Sequence, residues 1–106
     1  MFKAISVTRT DEFVKITTNI DVCEQIFHTL HHACFHLGKD AIVRINAVRK
    51  NISEPYKGGD VNTFVIGSEL IRAVIFDLIE ASKAETCFSD RYFDLAEFFN
   101  NIRYEY

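Results

Sequence analysis

All four histidines of the chain fall in one short stretch, at His28, His31, His32 and His36. His28 and His32, and again His32 and His36, are four residues apart, a spacing that brings two imidazoles on a helix close enough to hold one metal ion. A metal site normally has three or four ligands, and the further candidate here is Glu24. Because the pattern lacks a His-Glu-x-x-His motif and a cysteine partner, we interpret this face as a surface for solvent or for a protein partner. We therefore predict no metal and no cofactor.

Other reactive side chains form no recognisable catalytic pattern. Cys23, Cys34 and Cys87 are an odd number of cysteines without metal-type spacing, which favours reduced thiols in a reducing compartment. The sequence has no Gly-x-Ser-x-Gly, Walker loop, dinucleotide fingerprint or Cys-x-x-Cys. We predict that the protein is not an enzyme, with a small enzyme or metal-binding protein that uses the histidines as the second alternative.

The element that must position the histidines is a predicted helix. Asp21 and Glu24 form a capping-box pattern at its start, and Gly38 follows its predicted end at Leu37. Apolar residues recur at three- and four-residue steps and predict a core-facing stripe: Val22, Cys23, Ile26, Phe27, Leu30, Ala33, Cys34 and Leu37. The histidines centre on the opposite face of this helix.

Two large aromatic residues are predicted to project away from the core stripes of their helices. Phe35 lies among the histidines, and Phe76 lies beside Arg72 on a second predicted helix over 69–84, which Ser68 caps. Either ring could be covered by the aromatic C-terminal segment or could contact a partner, since aromatic residues are enriched in both settings. The predicted partner-binding residues are Phe35, His28, His31, His32, His36, Arg72, Phe76 and Tyr56.

The rest of the chain predicts an α+β fold with a four-stranded, mostly antiparallel sheet in the order ββαββα. Alternating, β-branched stretches predict strands over 2–9 and 13–20 as one hairpin, and over 41–49 and 61–66 as another. Both helices are then expected on one face of the sheet. The segment 86–93 is predicted as a short edge strand or irregular, followed by a short C-terminal helix over 95–103 capped by Asp94. Residues 1–106 are predicted to form one domain.

Charge argues weakly against nucleic acid as a partner. The formal net charge is −3, and the chain contains no basic stripe of the kind that phosphate backbones require. A modest basic cluster at Arg44, Arg49, Lys50 and Lys57 supports one alternative, a nucleic-acid-binding domain that uses the 44–57 hairpin.

These observations favour a small, non-catalytic protein-binding module. It would act as an inhibitor or adaptor, for example of the phage or mobile-element type that docks on a host defence complex, and association with a second copy of itself is equally compatible. No apolar run approaches the roughly 20 residues that a membrane span needs, so no membrane is expected. The predicted location is the cytoplasm, that of the host cell if the protein is phage-encoded.

Overall fold

The computed structural model describes residues 2–53 and 59–104. In chain order, its elements are β1 (Ser6–Arg9), β2 (Phe13–Asn19), α1 (Ile20–Ala33), a 3₁₀ turn (Cys34–His36), α2 (Lys39–Ser53), β3 (Val61–Gly67), α3 (Ser68–Ser82) and α4 (Ser89–Tyr104). The sheet is antiparallel with strand order β1-β2-β3. The fold is therefore α+β, but the predicted four-stranded sheet with two main helices is wrong: three strands and four helices are present in the described part of the chain.

The first hairpin is as predicted, with a shorter first strand. Val7 pairs with Ile16, and Val14 and Ile16 point into the core while Lys15 between them is exposed. Thr10 closes the turn, because its hydroxyl accepts hydrogen bonds from the backbone amides of Glu12 and Phe13. A Thr side chain that bonds backbone amides a few residues ahead is a typical way to fix a tight turn.

The predicted strand over 41–49 is wrong, because this segment is part of α2. Its buried residues are Ala41, Ile45, Val48 and Ile52, at steps of four, three and four, which is the period of a helix. The β-branched residues of this segment favour a strand locally, but packing of the apolar stripe outweighs that preference. Ile52, which completes the stripe, lies outside the segment that alternates.

Because α2 replaces the predicted third strand, β3 pairs directly with β2. The register places Phe64 opposite Ile16 and Ile66 opposite Val14, so the buried residues of the two strands share one face. The strand predicted over 61–66 is confirmed, and so is the helix that follows it, which Gly67 precedes as N-cap in place of Ser68.

The first helix is displaced toward the N-terminus relative to the prediction. Asn19 is its N-cap and accepts a hydrogen bond from the Asp21 amide at 2.8 Å, in place of the predicted Asp21–Glu24 box. The α-helix ends at Ala33, and Leu37 is extended. Gly38 does not take the left-handed conformation that often closes a helix. Its carbonyl instead accepts a hydrogen bond from the Ile42 amide at the start of α2.

The C-terminal helix begins earlier than predicted, at Ser89 and not at 95. Two hydrogen bonds fix its start: the Thr86 amide donates to the Ser89 hydroxyl, and the Phe88 amide donates to the Thr86 hydroxyl. The first bond is the one that the N3 residue of a capping box makes, with Ser89 in place of the usual Glu or Gln. The segment 86–93, predicted as a strand or irregular, is instead the cap and first turns of α4.

The helices cover one face of the sheet. Helices α1, α2 and α3 pack against the strands, and α4 packs on α3 and α1. The largest fully buried side chains come from all these elements: Tyr92, Phe64, Phe99, Ile16, Ile26, Leu30, Ile45, Ile52, Ile66, Ile71, Leu78 and Leu95. Across residues 2–53 and 59–104, none of the helices combines the length and apolar character that a bilayer crossing requires.

Candidate docking surface

Phe35 projects from the 3₁₀ turn that ends α1. The α-helix ends at Ala33, the 3₁₀ turn covers Cys34–His36, and the chain is extended at Leu37. The Phe35 side chain is 72% exposed. Its predicted outward direction is therefore observed.

His31 and His32 contact the Phe35 ring from one side. The centroid of the His31 ring lies 5.5 Å from that of Phe35 with the rings at 77°, and the His32 centroid lies 6.3 Å away. Edge-to-face arrangements of this kind are a favoured geometry for aromatic pairs. The phenyl ring is thus supported at its base while most of its surface faces solvent.

Helix α4 supports the histidines in turn. The Phe88 ring stacks on His32 with centroids 5.0 Å apart and an angle of 8°, and the Tyr92 ring lies 5.9 Å from His36. Phe88 and Tyr92 are 6.5 Å apart. One continuous set of ring contacts therefore joins the end of α1 to the start of α4. We call it the aromatic cluster, and it consists of His31, His32, Phe35, His36, Phe88 and Tyr92.

Among the residues that the structure describes, the C-terminal segment does not cover Phe35, which was one of the two alternatives for this ring. Phe88 and Tyr92 do fold back onto the first helix, but they contact His32 and His36 and leave Phe35 exposed. Sequence reasoning did not place Phe88 or Tyr92 in the site because it predicted the wrong secondary structure for 86–93. The Thr86-x-x-Ser89 pattern was the signal that could have located them.

The ionisable side chains of the cluster are bases, apart from Tyr92. Three of these side chains are imidazoles. Arg91 lies at the margin of the cluster, with its guanidinium carbon 6.0 Å from the Phe88 centroid, at the limit of a cation–π contact. Burial raises the pKa of Tyr92, and the nearby Cys87 adds to the effect while Thr86 opposes it. The Tyr92 side chain is buried, so it supports the cluster from beneath and is not part of its exposed surface.

The cluster holds no assembled catalytic or metal-binding group. The Cys34 thiol donates to the Leu30 carbonyl at 3.5 Å, and burial raises the pKa of Cys34, so it is a neutral thiol at pH 7 and not a thiolate nucleophile. Within the described ranges, no three His, Cys, Asp or Glu side chains come together in a way that could hold a metal ion. His32 and His36, predicted to share a helix face, are separated by the change from α-helix to 3₁₀ turn.

The remaining predicted partner-binding residues lie elsewhere. His28 is exposed on α1 beside Phe27, with the two ring centroids 5.8 Å apart. Arg72 and Phe76 lie on the outer face of α3, where the Phe76 side chain is 64% exposed. Tyr56 lies outside the described residues.

Arg44, Arg49 and Lys50, predicted to lie on a hairpin, are part of α2, and the contacts of Arg44 and Arg49 are intramolecular. Arg44 donates to both carboxylate oxygens of Asp77 in α3, each at 2.8 Å. The guanidinium of Arg49 lies 4.7 Å from the centre of the Phe27 ring and donates to Asn46. Lys57 lies outside the described residues. These contacts reduce the positive charge that this region presents to a ligand.

Comparison with known proteins adds no relative to this description. Neither the protein-family models, nor the curated proteins, nor the solved structures gave a significant match to the chain.

Proposed function

We propose that this chain is a non-catalytic protein-binding module that docks on another protein through the aromatic cluster. The observation that carries the proposal is the Phe35 side chain, which is 72% exposed and yet held by ring contacts with His31 and His32. Single exposed apolar residues are common on protein surfaces, but a large aromatic ring on a supported base is the usual form of an interface anchor.

The support beneath Phe35 lowers the entropic cost of docking. An anchor that is ordered before it binds loses less side-chain freedom than one on an unsupported loop. His32 is fixed between Phe35 and Phe88, so the base of the anchor is itself restrained by α4. The cluster therefore has the rigidity that a docking surface requires.

The chemistry of the cluster defines the partner surface that would fit it. An apolar pocket would accept Phe35, and acceptor groups around that pocket would match the imidazole N–H groups and Arg91.

The narrower form of the proposal concerns the partner. We carry forward the hypothesis of an inhibitor or adaptor of the phage or mobile-element type, which acts in the cytoplasm on a host defence complex. It adds to the docking proposal only the choice of partner.

The contacts of Arg44 and Arg49 make the basic segment a weaker candidate surface for nucleic acid. Arg44 is engaged by a carboxylate and Arg49 lies over an aromatic ring. A nucleic-acid surface needs cations that are available to phosphate groups.

Affinity capture with matched variants tests the docking proposal. Wild type, Phe35→Ala and Phe93→Ala are used as baits in an extract of the native cell, and the bound proteins are quantified by mass spectrometry. Phe93 on α4 is the control, because it is an exposed phenylalanine outside the cluster. We expect at least one protein that wild type and Phe93→Ala retain equally and that Phe35→Ala depletes by about tenfold or more, the loss typical of an anchor residue.

A set of bound proteins that is the same for all three baits would contradict docking through Phe35. Circular dichroism and thermal unfolding of each bait show that it is folded, so that a lost partner reports the surface and not the stability of the domain.

A further inference from the structure

Charged residues on the outer face of α3 lie at equal distances on either side of Phe76. Glu69 lies seven residues before Phe76 and Lys83 lies seven after, while Arg72 lies four before and Glu80 four after. At 3.6 residues per turn these five side chains fall within an arc of about 80° on one side of the helix. All five are exposed, and we call this surface the α3 face.

The signs of these charges are opposite at equal distances from Phe76. In a two-fold contact between antiparallel helices centred on one residue, each side chain faces the residue at the same distance on the other side of the centre in the second copy. Arg72 then faces Glu80 of the second copy, and Glu69 faces Lys83. Since the contact is two-fold symmetric, each of these pairs occurs twice.

The apolar residues of α3 obey the same symmetry. Ala73 and Ile79 lie three residues before and after Phe76 and are both half-buried at the edges of the α3 face. In the antiparallel contact the small Ala73 side chain faces the larger Ile79 of the second copy. The two Phe76 rings meet at the axis, with an apolar pair on either side and the ion pairs beyond.

We infer that a second copy of this chain docks antiparallel on the α3 face, with Phe76 on the two-fold axis. This inference goes beyond the docking proposal, because it concerns α3 and does not use the aromatic cluster. Failure of one surface therefore leaves the other standing. The intramolecular ion pair between Lys83 and Glu80 at 3.3 Å does not oppose the contact, because both side chains are highly exposed and such surface pairs are weak.

The contact is modest in size. The α3 face is about 21 Å long along the helix axis, at 1.5 Å per residue. A contact through this single helix face buries less surface area than a standard protein interface does. We therefore expect a dissociation constant in the micromolar range and a dimer that weakens as salt screens the charge pairs.

Charge reversal across the proposed axis tests the inference. Arg72→Glu places two carboxylates opposite each other, and Glu80→Arg places two guanidinium groups opposite each other. By sedimentation equilibrium, each variant should raise the dissociation constant by about tenfold or more, and so should Phe76→Ala. The control variant Glu97→Arg makes a charge reversal of the same size on the exposed face of α4, and it should leave association unchanged.

Restoration of the dimer is the decisive part of the experiment. The double variant Arg72→Glu/Glu80→Arg should associate as wild type does, because every facing pair is again opposite in sign. An equimolar mixture of the two single variants should form a heterodimer although each alone is monomeric. Arg72 and Glu80 are eight residues apart on one helix, with Phe76 between them, so a single copy cannot produce this rescue through a direct pair.

A crosslink provides a second measurement that does not depend on charge. At about 1 mM, well above the dissociation constant expected after loss of the ring, a Phe76→Cys/Cys87→Ser chain should form a disulfide-linked dimer on mild oxidation, because a residue on a two-fold axis meets its own copy. Phe93→Cys/Cys87→Ser should form it no faster than random collision allows. The inference is overturned if wild type stays monomeric at about 1 mM, if neither the double variant nor the mixture restores association, or if both cysteine variants crosslink equally.

Discussion

The Cys23 thiol is buried in the core, and burial is the main cause that raises its pKa above the ordinary value of 9.0. The hydrogen bond from Asn62 and the nearby Thr18 hydroxyl oppose this shift, and the charge of Glu24 adds to it. Because the folded state keeps the thiol proton at a pH where the unfolded chain has lost it, the unfolded state binds fewer protons above pH 9.0. Folding stability should therefore be unaffected by this group below pH 9.0 and should fall as the pH rises above it.

We predict that the variant Cys23→Ala loses less stability on alkaline titration than wild type does. The measurement is the free energy of unfolding in urea at several pH values on either side of 9.0. Cys87→Ala is the matched control, since Cys87 is exposed and its removal should leave the alkaline decline as in wild type. Identical declines for wild type and Cys23→Ala would contradict a protonated, buried thiol at this position.

At the residue scale, some features of the site could be predicted from the sequence and others could not. The outward direction of Phe35 follows from helical periodicity, which depends only on local geometry. The stacking of His32 on Phe88 joins residues far apart in the chain, and no periodicity of either segment contains that contact. Tyr92 is an example of a residue whose burial depends wholly on where another helix lies.

At the scale of elements, Asn62 joins three parts of the fold. Its side-chain amide in β3 donates to the Cys23 sulfur in α1 at 3.1 Å and to the Ile52 carbonyl in the last turn of α2 at 3.2 Å. The last carbonyls of a helix have no partner within it, so Asn62 satisfies a buried group that would otherwise be unpaired.

We predict that Asn62→Ala lowers the free energy of unfolding by about 1–3 kcal/mol, the typical cost of leaving a buried polar group unsatisfied. Chemical denaturation compares it with Asn100→Ala, an asparagine exposed on α4, which should change stability by no more than about 0.5 kcal/mol. Equal effects of the two substitutions would show that the Asn62 bonds do not stabilise the contact between β3 and the helices.

Helix α2 is the element whose secondary structure was wrongly predicted from the sequence pattern. Residues 41–49 alternate enough to indicate a strand, while Ala41, Ile45, Val48 and Ile52 form a helical stripe only when read across 52. Both periods fit the short segment, and the choice between them depends on the apolar surface that α1 and α3 present. Arg44 supports the outcome, because its ion pair with Asp77 joins α2 to α3.

At the scale of the whole molecule, the sequence predicts the α+β class, the first hairpin and the first and third helices with errors of a few residues. It does not predict the sheet, because the segment predicted as the third strand is helix α2, and the strand after it pairs with β2. The same error affected the functional prediction. The basic residues predicted on a hairpin lie on α2, where Arg44 forms an ion pair and Arg49 contacts an aromatic ring.

The molecule as a whole presents two exposed aromatic anchors in different chemical surroundings. Phe35 stands among imidazoles at the junction of α1 and α4, and Phe76 stands among alternating charges on α3. The first surroundings suit a different protein with an apolar pocket, and the second suit another copy of the chain. The two surfaces lie on different elements, so one copy of the domain could associate with itself and still dock on its partner.

The most direct test of docking through the aromatic cluster is the affinity of Phe35→Ala for the partner that wild type retains, measured by isothermal titration calorimetry beside Phe93→Ala. We predict that Phe35→Ala raises the dissociation constant by about tenfold or more, while its free energy of unfolding stays within about 0.5 kcal/mol of wild type, because the ring contributes little to the core. Phe93→Ala should bind as wild type does. Unchanged affinity of Phe35→Ala, or a loss of binding that is matched by Phe93→Ala, would contradict the aromatic cluster as the docking surface.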